Sequence, residues 1–161
     1  MAETWRTRLT RYGFNWFPAY RGTGARLTYI AGDWSEVRVR VPLNWRTRNY
    51  VGTIFGGSLY GAVDPVYMIL LIKALGPGYV VWDKAATIEF RRPGREALFA
   101  VFRVTPGEVA ALRAAVDEAG RAEREFTVDL VSASGELHAT CRKLLSIRRR
   151  ERAGAPARPT S

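Results

Sequence analysis

One aspartate, Asp64, lies inside the most apolar segment of the chain, Leu59 to Leu75. A carboxylate enclosed by apolar side chains is costly unless it is paired or has a function. Its position therefore predicts either a catalytic carboxylate or one that is hydrogen-bonded to nearby loop amides. Pro65 follows directly, and a proline within a helix removes one backbone donor and crowds the carbonyl four residues before it. We therefore predict a helix that bends where the carboxylate lies.

Two glycines, Gly56 and Gly57, stand where this helix is expected to begin. The first amides of a helix have no acceptor within it, and glycine has no side chain to block an approaching ligand. Such amides can stabilise the negative oxygen that develops when a carbonyl is attacked. An ordinary junction between a loop and a helix would show the same pair, so the glycines indicate this chemistry only together with Asp64.

Three arginines, Arg91, Arg92 and Arg95, cluster in a predicted turn. Guanidinium groups bind phosphate oxygens with paired hydrogen bonds, so the cluster could hold a phosphorylated ligand. Solvated turn arginines without a ligand are the alternative.

The hydrophobic pattern predicts the elements that must position these residues. Ser35–Val41 alternates apolar and polar residues, as in a strand with one solvent-facing side. A long helix from about Ser58 to Leu75 is apolar on nearly every side, which indicates a central position. Further strands are predicted at Tyr79–Arg92, Ala97–Val104, Ala122–Ser132 and Glu136–Arg148, with a short helix after the capping-box sequence Thr105–Glu108. This order favours an α+β fold in which an antiparallel β-sheet wraps around one central α-helix.

The net charge of +10 is concentrated at the two ends of the chain. Residues 1–26 carry five arginines against one glutamate, as do residues 148–161, so the part between them is nearly neutral. We predict a basic, aromatic leader over residues 1–26, a single folded domain over 27–148 and a disordered basic tail over 149–161. The neutral domain, without a recognisable binding motif, argues against specific nucleic-acid binding.

The leader has helical spacing up to Pro18 and is expected to form a helix that packs on the domain. A helix lying on a membrane surface is the alternative. Because Arg residues interrupt its apolar residues and no cleavage site follows, it does not resemble a signal peptide, and a cytoplasmic location is expected.

One cysteine and one histidine limit the chemistry that the chain can support. Cys141 cannot form an intramolecular disulfide and is expected to be a buried thiol. His138 lies near a predicted hairpin turn and is expected on the surface. Together they are too few for a histidine and cysteine metal site, so we predict neither a metal nor a cofactor.

The spacing of the candidate residues resembles that of the hotdog thioesterases, in particular the phenylacetate-catabolism branch. That branch has an asparagine, six residues later a histidine followed by two glycines, and an aspartate nine residues after the histidine. Here Asn49, Phe55-Gly56-Gly57 and Asp64 have the same spacings, with phenylalanine in place of the histidine. A strand that ends in an aromatic residue, two further residues and proline is matched at Phe90–Pro93. The resemblance covers roughly residues 35–147.

The resemblance implies an acyl-CoA thioesterase with a hotdog fold, in which coenzyme A enters only as part of the substrate. The Gly56 amide, helped by Gly57 and Asn49, would polarise the thioester carbonyl. Asp64 would activate water or attack directly. Because eight helical residues place Gly56 about 12 Å from Asp64, the two would meet only across a twofold axis, in a homodimer or homotetramer.

Other residues follow from the same comparison. Asp83 aligns with a serine that orients water in some relatives, and a second carboxylate could raise the pKa of the first. An internal ion pair with Lys84 is the alternative for Asp83. Phe55, Tyr60 and Tyr67 are expected to line the acyl pocket. Phe55 in place of histidine argues against dehydratase chemistry, and it leaves a non-catalytic module that binds acyl-CoA or fatty acyl groups as the alternative function.

Overall fold

A computed structural model of the protein describes residues 1–150. The predicted tail over residues 149–161 therefore falls outside the described residues, apart from its first two. The chain forms six strands and five helices in these residues, in the order α1 (Trp5–Trp16), α2 (Pro18–Gly22), β1 (Arg26–Ile30), β2 (Glu36–Val41), α3 (Gly56–Val63), α4 (Val66–Leu75), β3 (Tyr79–Phe90), β4 (Leu98–Arg103), α5 (Pro106–Ala119), β5 (Arg121–Val131) and β6 (Leu137–Arg149).

The strands form one antiparallel sheet in the order β1-β2-β4-β5-β6-β3. Helices α3 and α4 contact β2, near one end of the sheet, and β3, the edge strand at the other end. A flat sheet could not bring both strands to one helix pair, so the sheet curves around the helices. The core therefore lies between the concave face of the sheet and this helix pair. The predicted α+β hotdog fold is confirmed.

The central helix is divided at the predicted position. Helix α3 ends at Val63, Asp64 is its C-cap, Pro65 follows in helical backbone geometry, and α4 begins at Val66. By length and composition alone, the stretch Gly56–Leu75 could cross a membrane. Half of the most apolar part of this stretch is buried inside the fold, as expected for a core helix.

The leader forms two helices rather than the single helix predicted from its spacing. Pro18 does not simply end a helix but stands at the first position of α2, where its missing amide leaves no helical bond unmade. The leader is tied to the sheet by Asn15, whose side chain accepts from the Leu27 amide at 2.8 Å and donates to the Leu27 carbonyl at 2.9 Å.

Strand β1 was not predicted from the sequence. Its residues do not alternate regularly, because Leu27 and Ile30 are buried but are three positions apart. The reason is an irregularity in the pairing of β1 with β2 between Leu27 and Tyr29. It changes which side chains along the strand face the core. Helix α5, in contrast, begins with the predicted capping box between Thr105 and Glu108.

Candidate functional site

Asp64 belongs to a cluster of three charged side chains. The ammonium of Lys143, on β6, donates to Asp64 Oδ1 at 2.5 Å and lies 3.1 Å from Asp83 Oδ1, on β3. The Lys143 side chain is fully buried, whereas those of Asp64 and Asp83 remain 42% and 27% exposed. A buried cation thus supports two carboxylates that solvent can reach.

The two carboxylates are held differently. Asp64 accepts a short hydrogen bond, whereas Asp83 Oδ1 is close enough to Lys143 for an ion pair but has no hydrogen-bond partner with suitable angles. Burial raises the pKa of Asp83 above its ordinary value, and the Lys143 ammonium offsets this only in part. Burial alone would lower the pKa of Lys143, but its interactions with Asp64 and Asp83 outweigh that effect and raise it. The lysine therefore stays charged at neutral pH.

Sequence reasoning did not identify Lys143. The signal was present in the alternation of β6, where Cys141, Lys143, Leu145 and Ile147 all face the core. A lysine on the inward face of a strand needs a buried partner. The alternative for Asp83, an internal ion pair with Lys84, does not form, because the exposed Lys84 binds Glu123 at 2.7 Å; Asp83 instead pairs with Lys143.

Two further side chains lie beside the cluster. The ring of Tyr60, on α3, lies with its centroid 5.6 Å from the Lys143 ammonium. Burial raises the pKa of the Tyr60 hydroxyl, and a hydrogen bond with Asp64 raises it further by a smaller amount. Cys141 is a buried free thiol, as predicted, and burial raises its pKa to about 11. The structure therefore places Tyr60 at the candidate site and keeps Cys141 as an unreactive thiol.

Tyr67, which was expected to line the acyl pocket, lies in the core of the fold. Tyr67 is buried in the core, where its ring stacks on Phe126 with centroids 4.7 Å apart. Its hydroxyl donates to the Thr127 carbonyl at 2.8 Å. The Tyr67 side chain therefore packs against β5 in the core and does not line the cleft that borders Asp64.

Open backbone amides lie at the other end of α3. Phe55 is the N-cap of this helix, but its side chain makes no capping hydrogen bond, so the Gly56 and Gly57 amides are the free donors of the first turn. A side chain at Gly56 would meet the Phe90 ring, since an added Cβ would lie 2.9 Å from Phe90 Cζ. The ring of Phe55 leaves equally little space at Gly57, with its Cε1 2.3 Å from an added Cβ.

An open cleft of about 380 Å³ borders this end of the helix. It brings together Asn49, Gly56, Arg91 and Arg92, four of the residues selected from the sequence. The Asn49 side chain organises the loop beside it, accepting from the Val51 and Thr53 amides and donating to the Thr53 hydroxyl. The cleft thus combines a free helical amide with two guanidinium groups.

The three predicted phosphate-binding arginines differ in their surroundings. Arg91 pairs with Glu89 at 2.7 Å and Arg92 pairs with Glu136 at 3.2 Å, and both arginines remain exposed. Exposed pairs of this kind are weak and can exchange for a ligand phosphate. Arg95 is also exposed, but it does not line the cleft.

A second cleft, of about 400 Å³, begins beside Asp64. Its walls are mostly apolar and come from the leader and from the helix break, with Phe14, Phe17, Tyr20, Pro65, Met68 and Ile69 among them. The Tyr20 hydroxyl donates to the Ala62 carbonyl at 3.1 Å, which fixes the leader against α3. The leader therefore supplies one wall of an apolar cleft that has a carboxylate at its edge.

His138 is not on the surface, and the expectation from its position near a turn is wrong. It is 5% exposed although it is out of phase with the inward residues of β6, because it lies where the pairing of β6 with β5 shifts register between Leu130 and Val131. Its Nδ1 lies 3.2 Å from the Pro93 carbonyl oxygen, below the turn that carries Arg91 and Arg92. Among residues 1–150, no three His, Cys, Asp or Glu side chains are grouped closely enough to hold a metal ion.

The free amides and the carboxylate lie at opposite ends of one helix. The eight residues from Gly56 to Asp64 span about 12 Å along the axis of α3. One thioester carbonyl cannot contact both ends within the same chain. The predicted meeting of the two ends across a twofold axis stays a prediction, since the structure describes a single chain.

Comparison with solved structures places this fold among known ones. A protein of unknown function from Pseudomonas aeruginosa, described as a probable thioesterase, superposes with a TM-score of 0.80 at 22% identity, covering 93% of this chain and 100% of that one. A thioesterase from Haemophilus influenzae superposes with a TM-score of 0.68 at 15% identity, covering 94% of this chain and 97% of that one. A protein of unknown function from Chlorobaculum tepidum superposes with a TM-score of 0.71 at 15% identity, covering 89% of this chain and 94% of that one. At these identities the likeness shows a shared fold.

Sequence comparison gives a family but no activity. No curated protein matches the chain. The model of one domain family, described as a domain of unknown function (DUF4442), matches residues 6–147, from the first leader helix to near the end of β6. The chain therefore belongs to the DUF4442 family.

Proposed function

We propose that the protein is an acyl-CoA thioesterase that hydrolyses a thioester to a free acid and coenzyme A. The observation that carries this proposal is the reachable Asp64 carboxylate at the break of the central helix, fixed by the buried Lys143 ammonium at 2.5 Å. The carboxylate lies at the edge of an apolar cleft, and the same helix begins with the open amide of Gly56. These are the base, the acyl pocket and the oxyanion donor that acyl transfer to water needs.

In the proposed reaction, the Gly56 amide of one subunit binds the thioester carbonyl oxygen. Asp64 of the partner subunit accepts a proton from water, and the water oxygen bonds to the carbonyl carbon. The Gly56 amide stabilises the oxyanion that forms. The carbon–sulfur bond then breaks, and the coenzyme A thiolate leaves and takes up a proton. Direct attack by Asp64, with water then hydrolysing the resulting anhydride, uses the same two groups.

The two clefts divide the substrate between them. Arg91 and Arg92, beside Gly56, are suited to the phosphate groups of coenzyme A. The apolar cleft beside Asp64 of the partner subunit is suited to the acyl group. In the proposed dimer the thioester would lie between the amide of one subunit and the carboxylate of the other.

The edge strand β3 supports the proposed oligomer. It is the last strand of the sheet, and Lys84 to Thr87 along it are exposed. An open strand edge tends to pair with another chain, and twofold pairing of β3 with its copy would continue the sheet. Because Asp83 lies on this strand, the same pairing would enclose the charged cluster near the twofold axis.

The direct test is release of coenzyme A thiol from a panel of short-chain, medium-chain, long-chain and aryl-CoA substrates. We expect hydrolysis of at least one class, with the rate falling as the phosphate groups are removed from the substrate. No release from any member by a folded oligomer that still binds acyl-CoA would replace this proposal with the non-catalytic module. The position of the Phe55 ring over Gly57 would then be the first feature to alter.

We expect Met68→Trp to change which acyl group is accepted. Met68 lines the cleft beside Asp64 and is only partly buried, so the larger indole would extend into the cleft. Hydrolysis of the longest good substrate should fall by about tenfold or more relative to the shortest one. Met68→Leu, which keeps the side-chain volume, is the matched control. Equal losses for all chain lengths would show that the cleft does not hold the acyl group.

A further inference from the structure

Helix α1 presents a stripe of large apolar side chains to solvent. The stripe consists of Trp5, Leu9, Tyr12 and Trp16, which are 68%, 61%, 52% and 68% exposed. Their spacing of four, three and four residues places all of them on one side of the helix. Contiguous apolar surface of this kind is uncommon on a soluble protein and marks a place of interaction.

The stripe is not the face by which the leader packs on the domain. Thr7 is buried on the opposite side of α1, and Phe14 packs edge-on against Tyr20 with ring centroids 4.7 Å apart. Asn15 adds the hydrogen bonds to Leu27 that fix the orientation of the helix. Because these contacts hold the other side of the helix, the stripe stays outward in the folded protein.

The charges around the stripe select the kind of partner. Helix α1 contains Arg6, Arg8 and Arg11 and no acidic residue. Arg6 lies over the Trp5 ring at 5.4 Å, and Arg21, on α2, lies over the Trp16 ring at 4.8 Å. Of these arginines only Arg8 and Arg11 are paired within residues 1–150, both with the one glutamate that precedes the helix. A cationic, aromatic face suits an anionic surface.

We infer that α1 binds the surface of an anionic lipid bilayer through this stripe. Tryptophan and tyrosine favour the interface between headgroups and acyl chains, and leucine adds apolar area below it. The arginines on either side of the stripe then lie at the level of the lipid phosphates. The helix lies flat on the bilayer, since its other side is occupied by the domain.

This surface is next to the apolar cleft. Phe17 directly follows α1, is 57% exposed and also lines the cleft beside Asp64. A bilayer bound by the stripe would therefore lie near the mouth of that cleft. The binding itself requires no hydrolysis, so it can fail or succeed independently of the proposed thioesterase activity.

The test is co-sedimentation of the full chain with vesicles made of equal parts phosphatidylcholine and phosphatidylglycerol. We expect binding that weakens as salt is added and that is much weaker with phosphatidylcholine alone. Trp5→Ser combined with Trp16→Ser should reduce binding by about tenfold or more, since two large side chains no longer enter the interface. Its thermal unfolding midpoint should not change, because both side chains are exposed in the folded protein.

Trp45→Ser is the matched control, since Trp45 is 87% exposed and lies in the loop before α3, outside helix α1 and its stripe. This variant should bind vesicles as the native chain does. Equal binding by the double variant and the native chain, or no binding to anionic vesicles, would overturn the inference. A native oligomer that dissociates in the double variant, without vesicle binding by either, would instead assign the stripe to contact between copies of the chain.

Discussion

Asp64→Asn should lower the rate of thioester hydrolysis by about a hundredfold to ten-thousandfold, the range typical of losing a general base. The change keeps the size of the side chain and its place at the helix break, but an amide cannot take a proton from water. The Lys143 ammonium would lose its charged acceptor at 2.5 Å while keeping Asp83 nearby. Steady-state thiol release should show the loss mainly in kcat, with KM for acyl-CoA little changed.

Asp117→Asn is the matched control for this loss. Asp117 lies on α5, is exposed and forms an ion pair with Arg149. Its replacement should leave hydrolysis within about twofold of the native rate, because exposed pairs contribute little. Full activity in Asp64→Asn, with the oligomer intact, would remove this aspartate from the mechanism.

Mixing variants tests whether the site is shared between subunits. Gly56→Val should also be inactive. The valine side chain would collide with the Phe90 ring beside the residue 56 amide, so the amide could no longer take the position needed to bind the oxyanion. Subunits exchanged between Gly56→Val and Asp64→Asn would form dimers in which one of the two sites has both a native amide and a native carboxylate. We expect activity to return in the mixture. No return of activity, with mixed oligomers demonstrated, would place both groups in one chain.

The sequence was sufficient for the parts of the site that depend on local order. A carboxylate followed by proline in an apolar run identified Asp64 as a candidate residue and the break in the helix beside it, although the carboxylate is more exposed than the apolar run indicated. The glycines before the run identified the free amides, because the start of a helix exposes its first donors whatever surrounds it. The four-strand pattern after the helix identified most of the sheet for the same reason, since alternation is a local property.

The parts that were missed depend on which distant segments meet. The alternation of β6 turns Lys143 inward, but only the pairing of β6 with β3 and the position of the helix break show that it reaches Asp83 and Asp64. The leader gave the opposite difficulty. Its apolar spacing was visible, but the face that packs on the domain carries Thr7, Phe14 and Asn15, two of which are polar, whereas the larger apolar stripe faces solvent.

Lys143→Met should weaken hydrolysis and stability together, because Lys143 positions both carboxylates. Methionine keeps most of the apolar stem but removes the ammonium that is fully buried between Asp64 and Asp83. We expect the free energy of unfolding at neutral pH to fall by about 2 kcal/mol, since two carboxylates lose their partner but remain within reach of solvent. Denaturant unfolding measures this loss, and a folded variant then allows the effect on hydrolysis to be measured.

The pH dependence and a double variant separate positioning from general loss of structure. Burial raises the pKa of Asp83, and the Lys143 charge lowers it. Removing that charge should therefore raise the pKa of Asp83 further. Because Asp83 then ionises only at higher pH, the acid limb of the rate profile should move to higher pH in Lys143→Met. An unmoved limb would leave the lysine with a structural role only. If Lys143 acts through Asp64, adding Lys143→Met to Asp64→Asn should cost little further activity, whereas independent roles would multiply the two losses.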